Sequence, residues 1–184
     1  MIEIVPYRNS WVEEFESLAA AIKKQLNDLI IRVDHIGSTS VFGLAAKDCI
    51  DIQITVLSFD SYVDLEQGLS AVGVVSVPQI NNDHIPPGWE GDTAEWEKRF
   101  FRSLPDKRRV NVHVRKQGNA NQRYALLFRD YLRANEKAAL AYAELKRQLA
   151  KRHGDDINAY CDIKDPACDL IMQAAEDWAI KTKW

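Results

Sequence analysis

The sequence predicts an α/β (α+β) fold in which a mixed sheet carries packed helices and the C-terminal part is helical. Two segments, 49–56 and 110–115, alternate between apolar and polar residues, which is the period of a strand with one buried face. The C-terminal third shows only the spacing of amphipathic helices. No repeat or linker interrupts the chain, so we predict a single domain over 1–184, with a sheet-containing core at 1–118 and C-terminal helices at 119–184.

Apolar spacing predicts the elements of the N-terminal half. A helix is expected from Ser10 to Leu26, because apolar residues recur there at helical spacing behind a capping-box pattern. The apolar run 29–36 predicts the first strand, and the alternating segment 49–56 predicts the second. Another helix is predicted over 58–72.

The middle of the chain mixes strands with an irregular segment. Strands are expected at 74–77, at 95–104 and at 110–115, and the loop at 79–93 lies between the first two. Long irregular loops in compact domains are often lids or binding loops. His84 lies in this loop, and we expect it to be solvated.

Three helices are predicted in the C-terminal part. The first runs over 121–133 and the second over 135–154. Asp165 followed by Pro166 is the pattern of a cap with proline at the first helical position, so we predict that the last helix begins there. We expect the three helices to pack on the sheet and to close a cleft.

Composition and charge limit the classes of partner. The net charge is only −3, but the segment 98–133 contains eleven lysine or arginine residues and two acidic residues, so a basic block lies in an otherwise acidic chain. The aromatic residues of this block follow core periodicity, and the total charge is negative, which argues against nucleic acid. The block therefore favours a small phosphorylated ligand or a nucleotide.

The cysteines and the lack of targeting features indicate a compartment. Cys49, Cys161 and Cys168 are an odd number without metal-ligand spacing, and no segment has the pattern of a secretory signal or a membrane span. We therefore expect a cytoplasmic protein with reduced cysteines and no membrane partner.

A candidate site lies where the first predicted strand ends. The turn Gly37-Ser38-Thr39-Ser40 offers backbone N–H groups and hydroxyls that can hold phosphate oxygens, although Ser38 and Ser40 can equally cap a following helix. Asp51, on the polar face of the next strand, offers a carboxylate for a divalent cation. Lys47 precedes that strand and is the candidate for pairing with phosphate, with a solvated loop charge as the alternative. For Asp51 the alternative is an ion pair with Lys47 or with an arginine across the sheet.

Four further side chains are candidates for the same site. His35 ends the first strand, and His113 and Arg115 share the polar face of the strand 110–115. If that strand lies beside the strand of Asp51, His113 can reach the carboxylate and act as a metal ligand or a general base. The alternative for His35 is a hydrogen-bonded core residue, and the alternative for His113 is a sheet-face histidine stacked under the C-terminal helices. Arg129 can bind phosphate from the first C-terminal helix, with a surface ion-pair network as its alternative.

Several blocks of the sequence resemble the signature of the GrpB-like proteins, a family assigned to the nucleotidyltransferase fold superfamily. The longest block is His35–Asp51, which contains the Gly-Ser turn and Lys47. Shorter blocks extend the resemblance over nearly the whole chain: Trp96–Phe101, Val112–Arg115, Leu127–Arg133, Tyr160 and Lys164–Pro166. Tyr142 and Lys146 also resemble family positions, without an assigned role. The resemblance implies a nucleotidyltransferase-like mixed sheet.

The superfamily pattern also implies a metal site. It combines a Gly-Ser turn, a strand with acid-apolar-acid order, and a third acid on a later strand. Gly37, Ser38 and Asp51 match this pattern. Gln53 stands at the second acid position and the strand 110–115 has no acid, so only one of the three carboxylates remains.

Two functions remain open from the sequence. The first is a metal-dependent nucleotidyltransferase, in which Mg²⁺ or Mn²⁺ held by Asp51 and His113 assists transfer from a nucleoside triphosphate to an unidentified acceptor. The second is a non-catalytic module that binds a nucleotide or phosphate ligand, or that assists a protein partner. GrpB-like domains joined to dephospho-coenzyme A kinase support it by association. The missing acids favour the second function, whereas the retained turn and Lys47 favour the first, which is our leading hypothesis.

Overall fold

The computed structural model describes residues 1 to 184 and contains five helices and five strands. The helices are α1 Ser10–Leu26, α2 Tyr62–Ala71, α3 Ala120–Ala134, α4 Glu136–His153 and α5 Ile157–Thr182. The strands are β1 Arg32–Ile36, β2 Ile50–Val56, β3 Val74–Ser76, β4 Arg99–Ser103 and β5 Val110–Lys116. Short 3-10 turns are formed by Asn27–Leu29, Ser38–Ser40 and Thr93–Trp96. The mixed α/β class predicted from the sequence is confirmed.

The five strands form one mixed sheet in the order β1-β2-β5-β4-β3. β2 and β5 are parallel neighbours, and the other neighbouring pairs are antiparallel. The two strictly alternating segments therefore lie side by side. In this pair Asp51 lies beside Asn111 and Gln53 lies beside His113, so the histidine is displaced by two residues along the strand from the aspartate.

The alternation of β2 separates two faces of the sheet. Ile50, Ile52 and Ile54 are fully buried and share a core cluster with residues of α1 and α2, including Ile22 and Leu65. Burying side chains of this size contributes about 1.5–3 kcal/mol each to the free energy of unfolding. The opposite, polar face of β2 and β5 is covered by α3 and by the loop between β3 and β4.

The C-terminal helices enclose the segment that follows the Gly-Ser turn. Val41 and Leu44 of this segment share a buried cluster with Tyr142 of α4 and Cys168 of α5. A further cluster around Leu127 joins α3 to α5. The turn therefore lies between the sheet and the last two helices.

The last helix begins well before its predicted start. Asp156 caps α5 by accepting hydrogen bonds from the backbone N–H groups of Asn158 and Ala159. Pro166 lies inside α5, so the start predicted from the Asp165-Pro166 pair was wrong. A proline in a helix removes one backbone hydrogen bond, and the packing of this long helix on α3 and α4 outweighs that loss.

Two boundaries near the N-terminus also differ from the prediction. Asn9 occupies the N-cap position of α1, and no side chain at this helix start makes a capping hydrogen bond. The capping box predicted at Ser10 was therefore wrong. The apolar run 29–36 begins with the end of a 3-10 turn, and its strand starts only at Arg32. Apolar character alone did not distinguish the turn from the strand.

The irregular loop between β3 and β4 ends in a 3-10 turn and contacts α5. The strand predicted at 95–104 is shorter, because Thr93–Trp96 forms a 3-10 turn before β4 begins. His84 is exposed, as expected, and its Nε2 also lies 2.7 Å from a carboxylate oxygen of Asp169 on α5. The loop is thus connected to the C-terminal helices.

The cysteine side chains form no disulfide bond. All three cysteines are free, and Cys49 and Cys168 are buried. Burial raises the pKa of Cys49 to about 12, so this thiol stays protonated at neutral pH. None of the five helices combines the length and the apolar character needed to cross a membrane.

Candidate functional site

Gly37 allows the turn after β1 to approach the carboxylate of β2. Its φ of 68° lies in the left-handed region, which glycine adopts without strain. A Cβ built at this position would lie 2.5 Å from Oδ2 of Asp51. Only glycine therefore lets the backbone pass this close to Asp51, and the turn and the acid form one site.

The three hydroxyl side chains of the turn have different partners. Ser40 Oγ donates to a carbonyl of the turn at 2.6 Å, and Thr39 Oγ1 donates to the carbonyl of Cys49 at 3.2 Å. Ser38 Oγ instead lies 2.7 Å from Nζ of Lys146. Thr39 and Ser40 are buried and fix the turn, whereas Ser38 is half-buried and bonds to the lysine.

His35, at the end of β1, supports the turn from the core. Its Nε2 lies 3.0 Å from Thr39 Oγ1, and because this hydroxyl already donates to a carbonyl, Nε2 is the donor. The imidazole stacks on Phe15 of α1, with ring centroids 4.6 Å apart. Burial lowers the pKa of His35 to about 4, and the nearby Arg133 and Arg129 add to this shift. His35 is therefore neutral near pH 7.

Two arginines of α3 hold the backbone of the turn. Arg129 Nη1 donates to the carbonyl of His35 at 3.1 Å, and its Nε donates to Asp130 at 2.7 Å. Arg133 donates to the carbonyl of Ser40 through two nitrogens, at 2.8 and 3.0 Å. Arg129 thus lies beside the turn as a clamp on its backbone, and its contact with a phosphate stays a prediction.

Lys146 reaches the turn from α4 and is almost completely buried. Its Nζ donates to Ser38 Oγ and, at 2.6 Å, to the carbonyl of Ala45, and it has no carboxylate partner. The ring centroid of Tyr142 lies 4.7 Å from the same nitrogen. Burial lowers the pKa of Lys146 to about 7, because the charged form loses its hydration.

Two more lysines approach the same place from different elements. Lys47 precedes β2, and its Nζ lies 3.8 Å above the ring of Tyr160. Burial lowers the pKa of Lys47, and Lys164 of α5 adds to this shift while Asp51 opposes it. Lys164 itself forms an ion pair with the adjacent Asp165. Lys47, Lys146 and Lys164 are called the lysine cluster below.

Asp51 is the single carboxylate that faces both the turn and the lysine cluster. Its Oδ1 accepts a hydrogen bond from Nδ2 of Asn111 at 2.9 Å. Burial raises the pKa of Asp51, and the Asn111 bond together with Lys47 and Lys164 favours the charged form. Asp165 pairs with Lys164 and Asp51 lies near the other two lysines, so the site has an excess of one positive charge when all three lysines are protonated.

His113 and Arg115 belong to a second buried network on the same face of the sheet. Arg115 donates to Asp83 at 2.8 and 3.0 Å and to Oε1 of Gln53 at 2.6 Å. Its Nη2 also lies 3.4 Å from Nδ1 of His113. Burial lowers the pKa of His113 well below its usual value, and Arg115 and Lys98 strengthen this effect. No hydrogen bond connects either residue to Asp51, so their predicted roles at the phosphate site stay predictions.

The side chains around Asp51 do not fit the metal site that the superfamily pattern implies. No three His, Cys, Asp or Glu residues lie close enough together to hold a metal ion. Gln53, at the second acid position, accepts from Arg115, and Asn111 is the neighbour of Asp51 on β5. Divalent cations of the Mg²⁺ type prefer several oxygen ligands. Binding of Mg²⁺ or Mn²⁺ by Asp51 and His113 stays a prediction that this donor set does not favour.

Three residues of the site, Lys146, Lys164 and Asn111, had no role predicted from the sequence. Lys146 and Lys164 resembled family positions, and this resemblance was the only signal that could have selected them. Alternation puts Asn111 on the same polar face of β5 as His113. The register of the parallel pair decides that Asn111, and not His113, contacts Asp51.

Comparison with known proteins identifies the family. A family model described as GrpB protein matches residues 1–174. The chain belongs to the GrpB family. Among curated relatives of this GrpB-family chain, a dephospho-CoA kinase of Mycolicibacterium paratuberculosis is 35% identical over 195 residues, which cover 100% of this chain and 48% of the relative. The UPF0157 protein YqkA of Bacillus subtilis is 36% identical over 177 residues, covering 96% of this chain and 48% of that protein. The chain spans about half the length of these two relatives.

Solved structures support the same assignment. The crystal structure of the conserved protein GrpB from Enterococcus faecalis superposes with a TM-score of 0.76 and 33% identity, covering 99% of each chain. A structure of the Cid1 poly(U) polymerase superposes with a TM-score of 0.51 and 13% identity, covering 82% of this chain and 44% of that chain. At this identity the second likeness concerns the fold alone, and it confirms the predicted nucleotidyltransferase-like sheet.

Proposed function

We propose that this GrpB-family chain binds a phosphate-bearing small molecule, such as a nucleotide, at the Gly-Ser turn, with lysines supplying the positive charge. The observation that carries the proposal is that lysines from three separate elements lie around the turn: Lys146 donates to Ser38, and the charges of Lys47 and Lys164 act on Asp51. Ammonium groups form charge-assisted hydrogen bonds to phosphate oxygens and need no particular geometry to do so.

The charge balance of the site supports an anionic ligand. Lys146 is 3% exposed, and its only partners are the neutral oxygens of Ser38 and Ala45. Lys47 is half-buried and rests on an aromatic ring without a carboxylate within bonding distance. A buried ammonium group without an anion is unstable, as the lowered pKa values of both lysines indicate. A bound phosphate supplies the missing negative charge beside these lysines.

A ligand larger than phosphate has space beside the lysine cluster. A cleft of about 260 Å³ is lined by Lys47, and its walls include Arg109 and Glu3. Binding sites for small molecules usually have volumes of about 300–1,000 Å³, so the cleft suits part of such a molecule. A ligand whose phosphate contacts Lys47 has room to extend into this cleft.

Metal-dependent nucleotidyl transfer is the second candidate function. The observation that favours it is the carboxylate of Asp51, which lies directly against Gly37 of the turn. The other side chains around Asp51 do not fit a metal site. We therefore rank nucleotidyl transfer below ligand binding that needs no metal. An accessory role beside another domain is compatible with both, because relatives named dephospho-CoA kinase match this chain over about half of their length.

Calorimetric titration of the whole protein separates these functions. Each nucleoside triphosphate and inorganic pyrophosphate are titrated with and without Mg²⁺ or Mn²⁺, against the wild type, Lys146→Met and Asp51→Asn. Lys137→Met on the exposed side of α4 is the matched control. We expect binding without added metal and a loss of about tenfold to hundredfold in affinity for Lys146→Met, since a hydrogen bond to a charged group contributes about 1.5–3 kcal/mol.

The outcomes of the titration are distinct. Under the lysine-based proposal Asp51→Asn keeps or strengthens the binding, because it removes a negative charge from the site. Binding that requires metal and disappears in Asp51→Asn refutes the proposal and selects nucleotidyl transfer. Equal affinity of Lys146→Met and Lys137→Met shows that the ligand binds elsewhere.

A further inference from the structure

We infer that Ser38 and Lys146 form a serine–lysine nucleophile pair, in which Ser38 Oγ accepts the terminal phosphoryl group of a bound nucleoside triphosphate. The inference rests on the proposed function, because the bound ligand supplies the phosphorus that is attacked. It goes beyond that function, because it makes the turn a reacting group as well as a binding surface.

The hydroxyl of Ser38 differs from the other hydroxyls of the turn in its partners. Thr39 and Ser40 donate to main-chain carbonyls, so their protons have fixed structural uses. Ser38 has no such acceptor, and its only side-chain partner is Nζ of Lys146 at 2.7 Å. Ser38 is also half-buried, so a ligand can reach it from the outside while Lys146 lies behind it.

Lys146 has the surroundings of a general base. The carbonyl of Ala45 accepts from Nζ at 2.6 Å and fixes the direction of the amine, as the third group of a nucleophile–base arrangement does. No carboxylate forms an ion pair with this lysine to hold it protonated. A neutral amine in this place can accept the proton of Ser38 Oγ, which a charged one cannot.

The protonation of Lys146 is set by groups on three elements. Its own helix contributes the neutral Tyr142 and the exposed Arg147, β2 contributes Asp51, and α5 contributes Lys164 and Cys168. Burial dominates these influences and lowers the pKa of Lys146 to about 7. At neutral pH a substantial fraction of the amine is therefore unprotonated before a ligand binds.

The reaction conserves atoms and charge. Ser38 Oγ attacks the terminal phosphorus of a nucleoside triphosphate, and its proton moves to Nζ of Lys146. The Oγ–P bond forms, the bond from that phosphorus to the bridging oxygen breaks, and the nucleoside diphosphate leaves with the electron pair. The protonated Lys146 then lies against the new phosphoserine as its counter-ion.

The inference is tested by covalent labelling of the whole protein with two probes. The first is ATP with a labelled terminal phosphate, and the second is a fluorophosphonate, whose phosphorus bonds to a nucleophilic serine as fluoride leaves. Labelled peptides are identified by mass spectrometry. The variants are Ser38→Ala, Lys146→Met and Lys146→Arg, with Ser58→Ala and Lys137→Met as remote controls.

Both probes are expected to label Ser38, and Ser38→Ala should lose the label. Lys146→Arg keeps a positive charge but cannot act as a base, so it should retain nucleotide affinity and react at least about a hundredfold more slowly. The rate for the wild type should rise with pH and level off above the pKa of Lys146. Both control variants should react at the rate of the wild type.

Failure of the inference can be told apart from failure of the proposed function. Calorimetric binding of ATP together with no label on Ser38 from either probe refutes the nucleophile pair and leaves the binding site intact. Labelling of Lys146→Arg at the rate of the wild type also refutes it, because a base would then not be required. Thermal unfolding of each variant checks that lost labelling is not lost folding.

Discussion

At the scale of single residues, Gly37 allows the backbone of the turn to contact the carboxylate of Asp51. It combines a φ of 68° with an approach to Asp51 that leaves no space for a Cβ atom. Gly43, in the same connection between strands, has a φ of 76° and nothing within 4 Å of the Cβ position. The two glycines therefore share a backbone conformation and differ in their contact with Asp51.

Replacement of Gly37 by alanine is expected to weaken the fold and to displace the carboxylate of Asp51. Gly37→Ala should lower the free energy of unfolding by about 2–4 kcal/mol, because steric overlap adds to the strain of a left-handed alanine. Gly43→Ala should cost the strain alone, about 1–2 kcal/mol. Urea denaturation measures both values, and equal losses would contradict the contact with Asp51.

His35 makes the stability of the fold depend on pH. The pKa of this imidazole is about 4 in the folded chain, below its ordinary value of 6.5, so the unfolded chain takes up the proton first as the pH falls. The free energy of unfolding should therefore lose about 3 kcal/mol from this group between pH 6.5 and pH 4, with no loss from it above pH 6.5.

A variant isolates this contribution of His35. His35→Gln keeps a side-chain donor for Thr39 and does not titrate, so its stability should fall less steeply with pH than that of the wild type. Denaturant unfolding at a series of pH values measures the difference. Identical pH dependence in both proteins would show that His35 is not held neutral by the fold.

At the scale of secondary-structure elements, one buried acid fastens the loop between β3 and β4 to the sheet. Asp83 accepts from Arg115, from Lys98 at 2.7 Å and from Asn121 at 3.0 Å. The side chains of Arg115 and Lys98 are 6% and 8% exposed. Burial opposes the charge on Asp83, but Arg115 and Lys98 hold its pKa far below the usual range.

Removal of this charge should release the loop. Asp83→Asn leaves two buried cations without their counter-ion, so we expect a loss of about 3–5 kcal/mol in the free energy of unfolding. Asp177→Asn, an exposed position on α5, should change the stability by less than about 0.5 kcal/mol. A loss for Asp83→Asn as small as that of the control would mean that the network does not stabilise the loop.

Elements were predictable from the sequence where their pattern is local. The alternation around Ile52 and Val112 defined β2 and β5, because each strand buries one face and exposes the other to polar partners. The start of α5 was missed, since Pro166 is usually a boundary signal and only the packing of the whole helix overrules it. Short 3-10 turns before β1 and β4 have no apolar period of their own.

The site was predictable in part for a related reason. The turn at Gly37 and Asp51 lie close together in the chain, on the segment that joins the neighbouring strands β1 and β2, so their contact could be predicted. The pairing of Asp51 with Asn111 depends on the register of two strands far apart in the chain, which no local pattern specifies. Lys146 and Lys164 come from amphipathic helices, where a lysine at the edge of a buried face has the same pattern whether it meets solvent or a site.

At the scale of the whole molecule, the candidate site is shared between the sheet and the C-terminal helices. Ser38 and Asp51 are supplied by the segment from β1 to β2, whereas Lys146 and Lys164 are supplied by α4 and α5. A ligand bound between them contacts both parts at once. Ligand binding should therefore stabilise the association of the helices with the sheet.

Hydrogen–deuterium exchange can measure this coupling. Saturating pyrophosphate should slow amide exchange in α4 and α5 as well as in the Gly-Ser turn, and a hundredfold excess over the dissociation constant should add about 2.7 kcal/mol to the free energy of unfolding. Lys146→Met should lose the protection of α4. Protection limited to the segment from β1 to β2 would contradict a site that both parts share.

The arrangement of the strands also affects how the protein behaves at high concentration. β1 and β3 are the two outer strands of the sheet, and free strand edges can pair with other chains and cause aggregation. β3 has only three residues, and β1 carries the charged pair Arg32 and Asp34. Arg129 adds a bond to the carbonyl of His35 at the end of β1. The guanidinium group of Arg129, which holds the turn, therefore also helps to prevent β1 from pairing with a strand of another molecule.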